Sequence, residues 1–142
     1  MVPRTPGNHY SRHTVAAATP TPLRVDAPRA PIRTAQSEPV ITAVQFPEGL
    51  ALRITGEVDI ASAARLEREL TRAAELSRLI LLDLRETTFM DGAALGVIVR
   101  TDQRMRESGA RMILVPGSLA VRRLLSVSGM YGRLEIVDDY AP

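Results

Sequence analysis

The sequence contains no cysteine and no lysine, and each absence removes a class of chemistry. Without cysteine there can be no disulfide, zinc–thiolate site or thiol nucleophile. Without lysine, no mechanism can use a side-chain amine. No apolar run approaches the roughly 20 residues that cross a bilayer, and the N-terminus lacks the apolar core of a secretory signal. We therefore expect a protein of the reducing cytoplasm that does not insert directly into a membrane.

The charge of the chain is uneven, although the net value is only +2. Residues 1–39 carry five arginines against two acidic residues, whereas residues 40–142 carry 13 arginines against 14 acidic residues. A nucleic-acid-binding domain needs clustered positive charge, which the second segment does not have. The composition therefore predicts no nucleic-acid partner.

Seven of the ten prolines lie in residues 1–39, among Thr, Ala and Arg. Such a segment has too little apolar periodicity to fold, so we interpret residues 1–39 as a disordered tail and residues 40–142 as one domain. Three readings of the tail remain open: a solubilising leader or start-site artefact, a basic arm that touches a partner or an anionic surface, and a transit peptide.

Residues 40–142 alternate between strand and helix patterns. "VITAVQF" and "LALRITGEV" predict an antiparallel pair, and helical spacing follows over residues 61–77. "LILLDL", "RMILV" and "LEIV" predict three further strands, separated by helices that begin near residues 94 and 118. The order predicts an α/β fold: a mixed, mostly parallel sheet of four to five strands packed against about three to four helices.

Two sites with acidic residues are candidates for chemistry: Asp83, and the pair Glu57 and Asp59. Asp83 follows a buried strand, at the end where ligands gather in parallel sheets. A phosphoreceiver domain would also need an acidic pair and a lysine, so we interpret Asp83 as structural. Glu57 and Asp59 could act as an acid–base pair, but His9 and His13, the two histidines, both lie in the tail. We therefore expect Asp59 or Ser62 to cap the following helix and predict neither a catalytic residue, a metal ligand nor a cofactor.

The segment "TTFMDGAALGV", residues 87–97, forms a third candidate site. Asp-Gly is a hairpin signal, but the residues after it have helical rather than alternating spacing. Asp91 is then at or next to a helix N-cap, with Gly92, Ala93 and Ala94 in the first turn. Free backbone N–H groups there could hold a phosphoryl group, yet the turn offers no hydroxyl to carry one.

These motifs resemble a STAS domain of the anti-sigma-factor antagonist type. The resemblance rests on "GEVDIASA", "LILLDLRETTFMDGAALGVIV" and "LLSVSGM", which occur in the family's order over about residues 40–139. Members of this type are non-enzymatic switches that bind a kinase-type anti-sigma factor. The kinase ejects them by phosphorylating a serine or threonine in Asp-Ser-Ser/Thr-Gly-Leu-Gly, because about two negative charges then enter the interface.

On this sequence, the family motif falls on Asp91-Gly92-Ala93-Ala94-Leu95-Gly96, and Ala93 occupies the phosphoacceptor position. The resemblance implies that the partner-binding residues are Asp59, Met90, Asp91, Gly92, Ala93, Ala94, Leu95 and Arg100. It leaves open a constitutive antagonist, phosphorylation at Thr87 or Thr88, and a STAS accessory or scaffold subunit of a transport or stress-signalling complex. The sequence does not predict the oligomeric state.

Overall fold

The computed structural model describes residues 12–14 and 38–139. Within them the chain forms seven strands, three α-helices and one short 3-10 helix. In chain order the elements are β1 (Arg12–Thr14), β2 (Val40–Phe46), β3 (Gly49–Val58), α1 (Ile60–Leu76), β4 (Leu79–Asp83), β5 (Thr87–Met90), α2 (Gly92–Glu107), β6 (Arg111–Val115), α3 (Leu119–Val127), the 3-10 helix (Met130–Gly132) and β7 (Glu135–Ile136).

The strands form one mixed sheet in the order β1-β2-β3-β4-β6-β7. β2 runs antiparallel to both β1 and β3, whereas β3, β4, β6 and β7 run parallel to one another. The predicted class, a mixed α/β fold with a mostly parallel sheet, is confirmed. The parallel connections place the start of every α-helix at one edge of the sheet, where the carboxyl ends of the parallel strands meet.

The sheet contains more strands than the four to five that we predicted. β5 lies beyond the end of β4 and pairs in parallel with the last residues of β3. Its register shifts between Gly56 and Glu57, which pair with Thr87 and Phe89, so that Thr88 is the additional residue of a β-bulge.

The remaining additional strand, β1, falls within the segment predicted to be a disordered tail, and it pairs with β2. Residues 1–11 and 15–37 lie outside the described residues, so disorder of the tail remains a prediction.

The main hydrophobic core lies between one face of the sheet and all three α-helices. Helical spacing brings Leu66, Leu70, Ile98 and Leu125 inward, and each is almost completely buried. Alternate strand residues point to the opposite face, where Ala51, Leu81 and Val115 form a smaller cluster. All three α-helices therefore pack on one face of the sheet, with their N-termini at the sheet edge.

Candidate partner-binding site

The N-termini of α1 and α2 meet at the carboxylate of Asp91. Asp91 is the N-cap of α2, as the sequence predicts, and its Oδ1 accepts the N–H of Ala94 at 3.0 Å. Its Oδ2 accepts the N–H of Ile60, the first residue of α1, at 2.9 Å. The backbone N–H of Asp91 donates in turn to the carbonyl of Val58 at 3.2 Å. One side chain thus satisfies a free donor at the start of each helix and fixes the two termini together.

Asp59 is the N-cap of α1, which confirms one of the two predicted caps. Its Oδ1 accepts the N–H of Ala61 at 3.0 Å, while its own N–H donates to the Ser62 hydroxyl at 3.1 Å. This reciprocal pair is a capping box, in which the second capping candidate, Ser62, takes the complementary role. Asp59 therefore stands near Asp91 at the same edge of the sheet.

The first turn of α2 presents small residues to solvent. Gly92 is exposed and Ala93 is half-buried. Within residues 38–139, the backbone N–H groups of Gly92 and Ala93 have no acceptor. Unpaired N–H groups and the positive end of the helix dipole make this turn compatible with an anionic group. Ala93 supplies only a methyl group there.

Three of the predicted contact residues lie beneath this surface instead of on it. Met90, Ala94 and Leu95 are 3%, 0% and 6% exposed and belong to the main core. Alternation along β5 turns Met90 inward, and the helical period turns Ala94 and Leu95 toward the sheet. These residues support the surface from below, but their buried side chains add no contact area to it.

Two large apolar side chains that the sequence did not single out are exposed at this edge. Ile60 is 76% exposed at the start of α1, and Phe89 is 45% exposed on β5, next to buried Met90. Exposed apolar residues grouped at one edge are typical of protein-binding sites. The sequence signal was available, because Phe89 alternates with Met90 and Ile60 directly follows the N-cap. The local sequence does not reveal that β5 lies beside the end of β3.

Arg100 lies on α2 at the side of the surface that faces α1. Its guanidinium is 3.6 Å from the carboxylate of Glu67 on α1, and both side chains remain substantially exposed. The guanidinium also folds over Gly96, where an added Cβ would lie 3.3 Å from it. The residue therefore borders the small-residue surface, and its place at the rim of an interface stays a prediction.

The residues that this edge exposes form a candidate site, for which we use the name partner-binding surface: Asp59, Ile60, Phe89, Asp91, Gly92, Ala93 and Arg100. Its centre is apolar and small, and its charged groups lie at the helix caps and the rim. An interface of this kind has the arrangement of many protein–protein contacts, with an apolar centre and a polar border.

Asp83 lies behind this surface and is structural, as the sequence predicts. It is almost completely buried and accepts the backbone N–H and the Nε–H of Arg85, both at 3.0 Å, and the Nε–H of Arg53 at 3.3 Å. Burial alone would raise its pKa, but the hydrogen bonds and charge of Arg85, with the charge of Arg53, outweigh burial and hold the pKa below its ordinary value. Asp83 is therefore a carboxylate that anchors the loop after β4.

Gly117, in the loop after β6, allows that loop to pack directly against the loop after β4. It has a φ of +70°, and an added Cβ would lie 2.3 Å from the Cα of Arg85. The backbone of Leu84 also donates to the carbonyl of Val115 at 2.8 Å. The loops after β4 and β6 are therefore packed backbone against backbone, which leaves no room for any other residue at position 117.

The two alternative phosphoacceptors differ sharply in accessibility. Thr87 is completely buried, and its hydroxyl donates to the carbonyl of Ile54 at 2.8 Å. It is therefore inaccessible to a kinase, because its side chain is enclosed and bonded to the neighbouring strand β3. Thr88 is exposed at the β-bulge.

Glu57 is exposed on β3, while Asp59 belongs to the helix cap, so the two do not act as a pair. In the part of the chain that the structure describes, no cluster of three or more acidic or histidine residues could hold a metal ion. None of the helices in that part is both long and apolar enough to span a bilayer.

Together, the fold and this edge define a small α/β domain that presents a capped helix terminus beside exposed apolar side chains. The chain belongs to the STAS domain family, whose model matches residues 40–141.

Characterised relatives agree with this assignment. The chain is 29% identical to the anti-sigma-B factor antagonist of Bacillus subtilis (strain 168) over 61% of its own length and 80% of that protein. It is 28% identical to the anti-sigma F factor antagonist of Paenibacillus polymyxa, covering 63% of this chain and 79% of the relative. The fold is shared with an anti-sigma factor antagonist from Mycobacterium paratuberculosis: the TM-score is 0.65 at 17% identity, over 75% of this chain and 92% of that structure. The domain is therefore similar to anti-sigma factor antagonists.

Proposed function

We propose that this protein is a cytoplasmic anti-sigma factor antagonist that binds a kinase-type anti-sigma factor through the partner-binding surface. We further propose that it does so without phosphorylation at the usual position. The observation that carries the proposal is Ala93, a methyl group in the first turn of α2, where the resemblance to the family calls for a hydroxyl.

The composition of the surface supports docking of another protein. Ile60 and Phe89 supply exposed apolar area near the first turn of α2, and Ala93 and Gly92 allow a close approach of the partner. Aromatic and aliphatic anchors around a small-residue centre provide the burial from which protein interfaces gain most of their affinity.

The absence of an acceptor at position 93 determines how the interaction is regulated. A phosphoryl group in this turn would bring about two negative charges into a docked interface and oppose binding. Ala93 has no oxygen to accept it, and Thr87 is enclosed in the sheet with its hydroxyl already bonded to Ile54. Of the three positions considered, only Thr88 offers an exposed hydroxyl, so the protein remains competent to bind while the kinase is active as long as Thr88 carries no phosphate.

The test starts from the full chain as bait in an extract of the native host, followed by purification of any kinase-type anti-sigma factor recovered. Calorimetry then compares the wild type with Ala93→Asp and Ala93→Ser. We expect Ala93→Asp to weaken binding at least about tenfold, because its charge lies at the centre of the interface. Ala93→Ser, which differs by one oxygen, should bind within about twofold of the wild type.

The same two proteins with ATP give the second readout. Ala93→Ser should become phosphorylated and be released, whereas the wild type should take up no phosphate at position 93. Failure to recover any kinase-type partner, or equal affinity for wild type and Ala93→Asp, would argue against the proposal.

The missing hydroxyl also favours a second candidate, a STAS accessory subunit of a transport or stress-signalling complex. Such a role uses the surface for docking and has no need of an acceptor at Ala93. Recovery of transporter subunits without a kinase in the same extract experiment would select this alternative.

A further inference from the structure

The outer side of α3 carries an apolar column that the partner-binding surface does not include. Leu119 and Val127 are 69% and 77% exposed, and Arg123 lies between them at the same helical spacing of four residues. The opposite side of the helix places Val121 and Leu125 in the core. We call Leu119, Arg123 and Val127, with Tyr131 and Arg133 just beyond, the α3 outer face.

The charge of this region is of one sign. Residues 118–133 contain three arginines and no acidic residue. Arg122 is neutralised, since it lies 3.1 Å from Asp138 and also donates to the carbonyl of Gly117. Within the described residues, the side chains of Arg123 and Arg133 form no ion pair. The α3 outer face therefore combines exposed apolar groups with uncompensated positive charge.

We propose that the α3 outer face is a docking surface for an anionic lipid bilayer. A helix that exposes aliphatic side chains together with arginine lies favourably at the boundary between headgroups and acyl chains. Tyr131, 43% exposed, has the amphipathic ring that suits the same depth. Binding would be peripheral, on a helix different from α2, and it does not depend on the proposed antagonist function.

The chemistry of the face favours a lipid surface over a second copy of the chain. A symmetric pairing of two such faces would bring Arg123 of one copy close to Arg123 of the other, and like charges at the centre of an interface are unfavourable. An anionic bilayer instead meets every arginine of the face with negative charge. The segment 1–39 adds five arginines against two acidic residues to the same molecule, which provides a second basic determinant.

The small number of arginines and aliphatic side chains on the α3 outer face predicts weak and salt-sensitive docking. Each arginine near an anionic membrane surface raises the partition coefficient roughly fivefold, and screening removes most of this gain at high ionic strength. Two uncompensated arginines and two aliphatic side chains are too few for stable anchoring alone, so detectable binding should require low salt and a bilayer of high anionic content.

The test is sedimentation of the full chain with vesicles of phosphatidylcholine alone and with about 30% phosphatidylglycerol. We expect binding only to the anionic vesicles and only at low salt. Arg123→Glu should lower the partition coefficient about tenfold, because it removes one attraction and adds one repulsion. Leu119→Ser combined with Val127→Ser should lower it to a similar extent.

Arg104→Glu is the matched control, because Arg104 is also exposed, lies on α2, and the change in net charge is identical. It should retain most of the vesicle binding, and thermal melts should show that every variant is folded. Absence of binding to anionic vesicles overturns the proposal and leaves the face to a protein partner. Equal losses for Arg104→Glu and Arg123→Glu also overturn it, since net charge rather than this face would then set the affinity.

Discussion

Asp91 and Ile60 join two helices, because the carboxylate of Asp91 accepts the N–H of Ile60 at 2.9 Å while capping its own helix. An N-cap residue ordinarily serves one helix. Here the same side chain also holds the start of α1 against the start of α2, which fixes the position of the exposed Ile60 beside the first turn of α2. The geometry of the partner-binding surface therefore depends on a single carboxylate.

Replacing Asp91 with alanine should lower the free energy of unfolding by about 2 kcal/mol, because a helix cap and a second hydrogen bond are lost together. Asp59→Ala, which removes the cap of α1 and leaves the link at Asp91 intact, should cost about 1 kcal/mol. Urea unfolding of the two variants measures the difference. Equal losses would show that the bond to Ile60 contributes nothing.

Thr87→Val should destabilise the fold by about 1–2 kcal/mol, since the shape is kept while the carbonyl of Ile54 loses its buried donor. Thr88→Val makes the same chemical change one residue further on, at an exposed position of the bulge, and should leave stability within about 0.5 kcal/mol. Thermal or urea unfolding distinguishes the two. A larger effect at position 88 would contradict the described packing of β5.

Asp83 should make stability fall in acid. Its pKa in the folded chain lies below the value of about 3.9 for an unfolded aspartate, because Arg85 and Arg53 favour the charged form. Its contribution is therefore complete above about pH 4 and is lost as the pH falls through the folded pKa. At pH 7, Asp83→Asn should lower the free energy of unfolding by about 2 kcal/mol, and urea unfolding between pH 7 and pH 3 should show the loss shrinking in acid.

Asp102 provides a control, because its pKa is shifted in the opposite direction from that of Asp83. It is 5% exposed on α2, and burial raises its pKa by more than the ion pair with Arg106 lowers it. A raised folded pKa means that protonation stabilises the fold, so the neutral Asp102→Asn should retain or increase stability at pH 7. If Asp102→Asn were as damaging as Asp83→Asn, the distinction between a well-paired and a poorly paired carboxylate would be wrong.

Ile60→Ser should weaken binding of the anti-sigma factor about tenfold, because it removes exposed apolar area from the partner-binding surface. Leu76→Ser is the matched control: Leu76 is 73% exposed, against 76% for Ile60, but lies at the far end of the same helix. Both substitutions should be neutral for stability. Calorimetry that finds the same affinity for Ile60→Ser and Leu76→Ser would remove Ile60 from the interface.

Local patterns were sufficient to predict most of the architecture. The N-caps Asp59, Asp91 and Ser118 are short polar residues ahead of helical spacing. Asp59 and Asp91 cap as predicted, and Ser118 caps the helix that was expected to begin near it. These signals depend only on neighbours within one turn, which is why sequence alone reveals them.

The features that sequence reasoning missed depend on contacts distant along the chain. β5 is four residues long and becomes a strand because the end of β3 is available to pair with it. That pairing buries Thr87 and Met90 and leaves Phe89 and Thr88 outward. Hydrophobicity alone cannot distinguish an exposed phenylalanine from a buried methionine when the neighbouring strand is unknown.

The most direct measurement of the central claim is the affinity of the full chain and of Ala93→Asp for a kinase-type anti-sigma factor, with Ala93→Ser and ATP as the companion reaction. We predict tight binding by the wild type, binding at least about tenfold weaker by Ala93→Asp, and phosphorylation at position 93 only in Ala93→Ser. Equal affinities for the wild type and Ala93→Asp would contradict the assignment of the first turn of α2 as the interface.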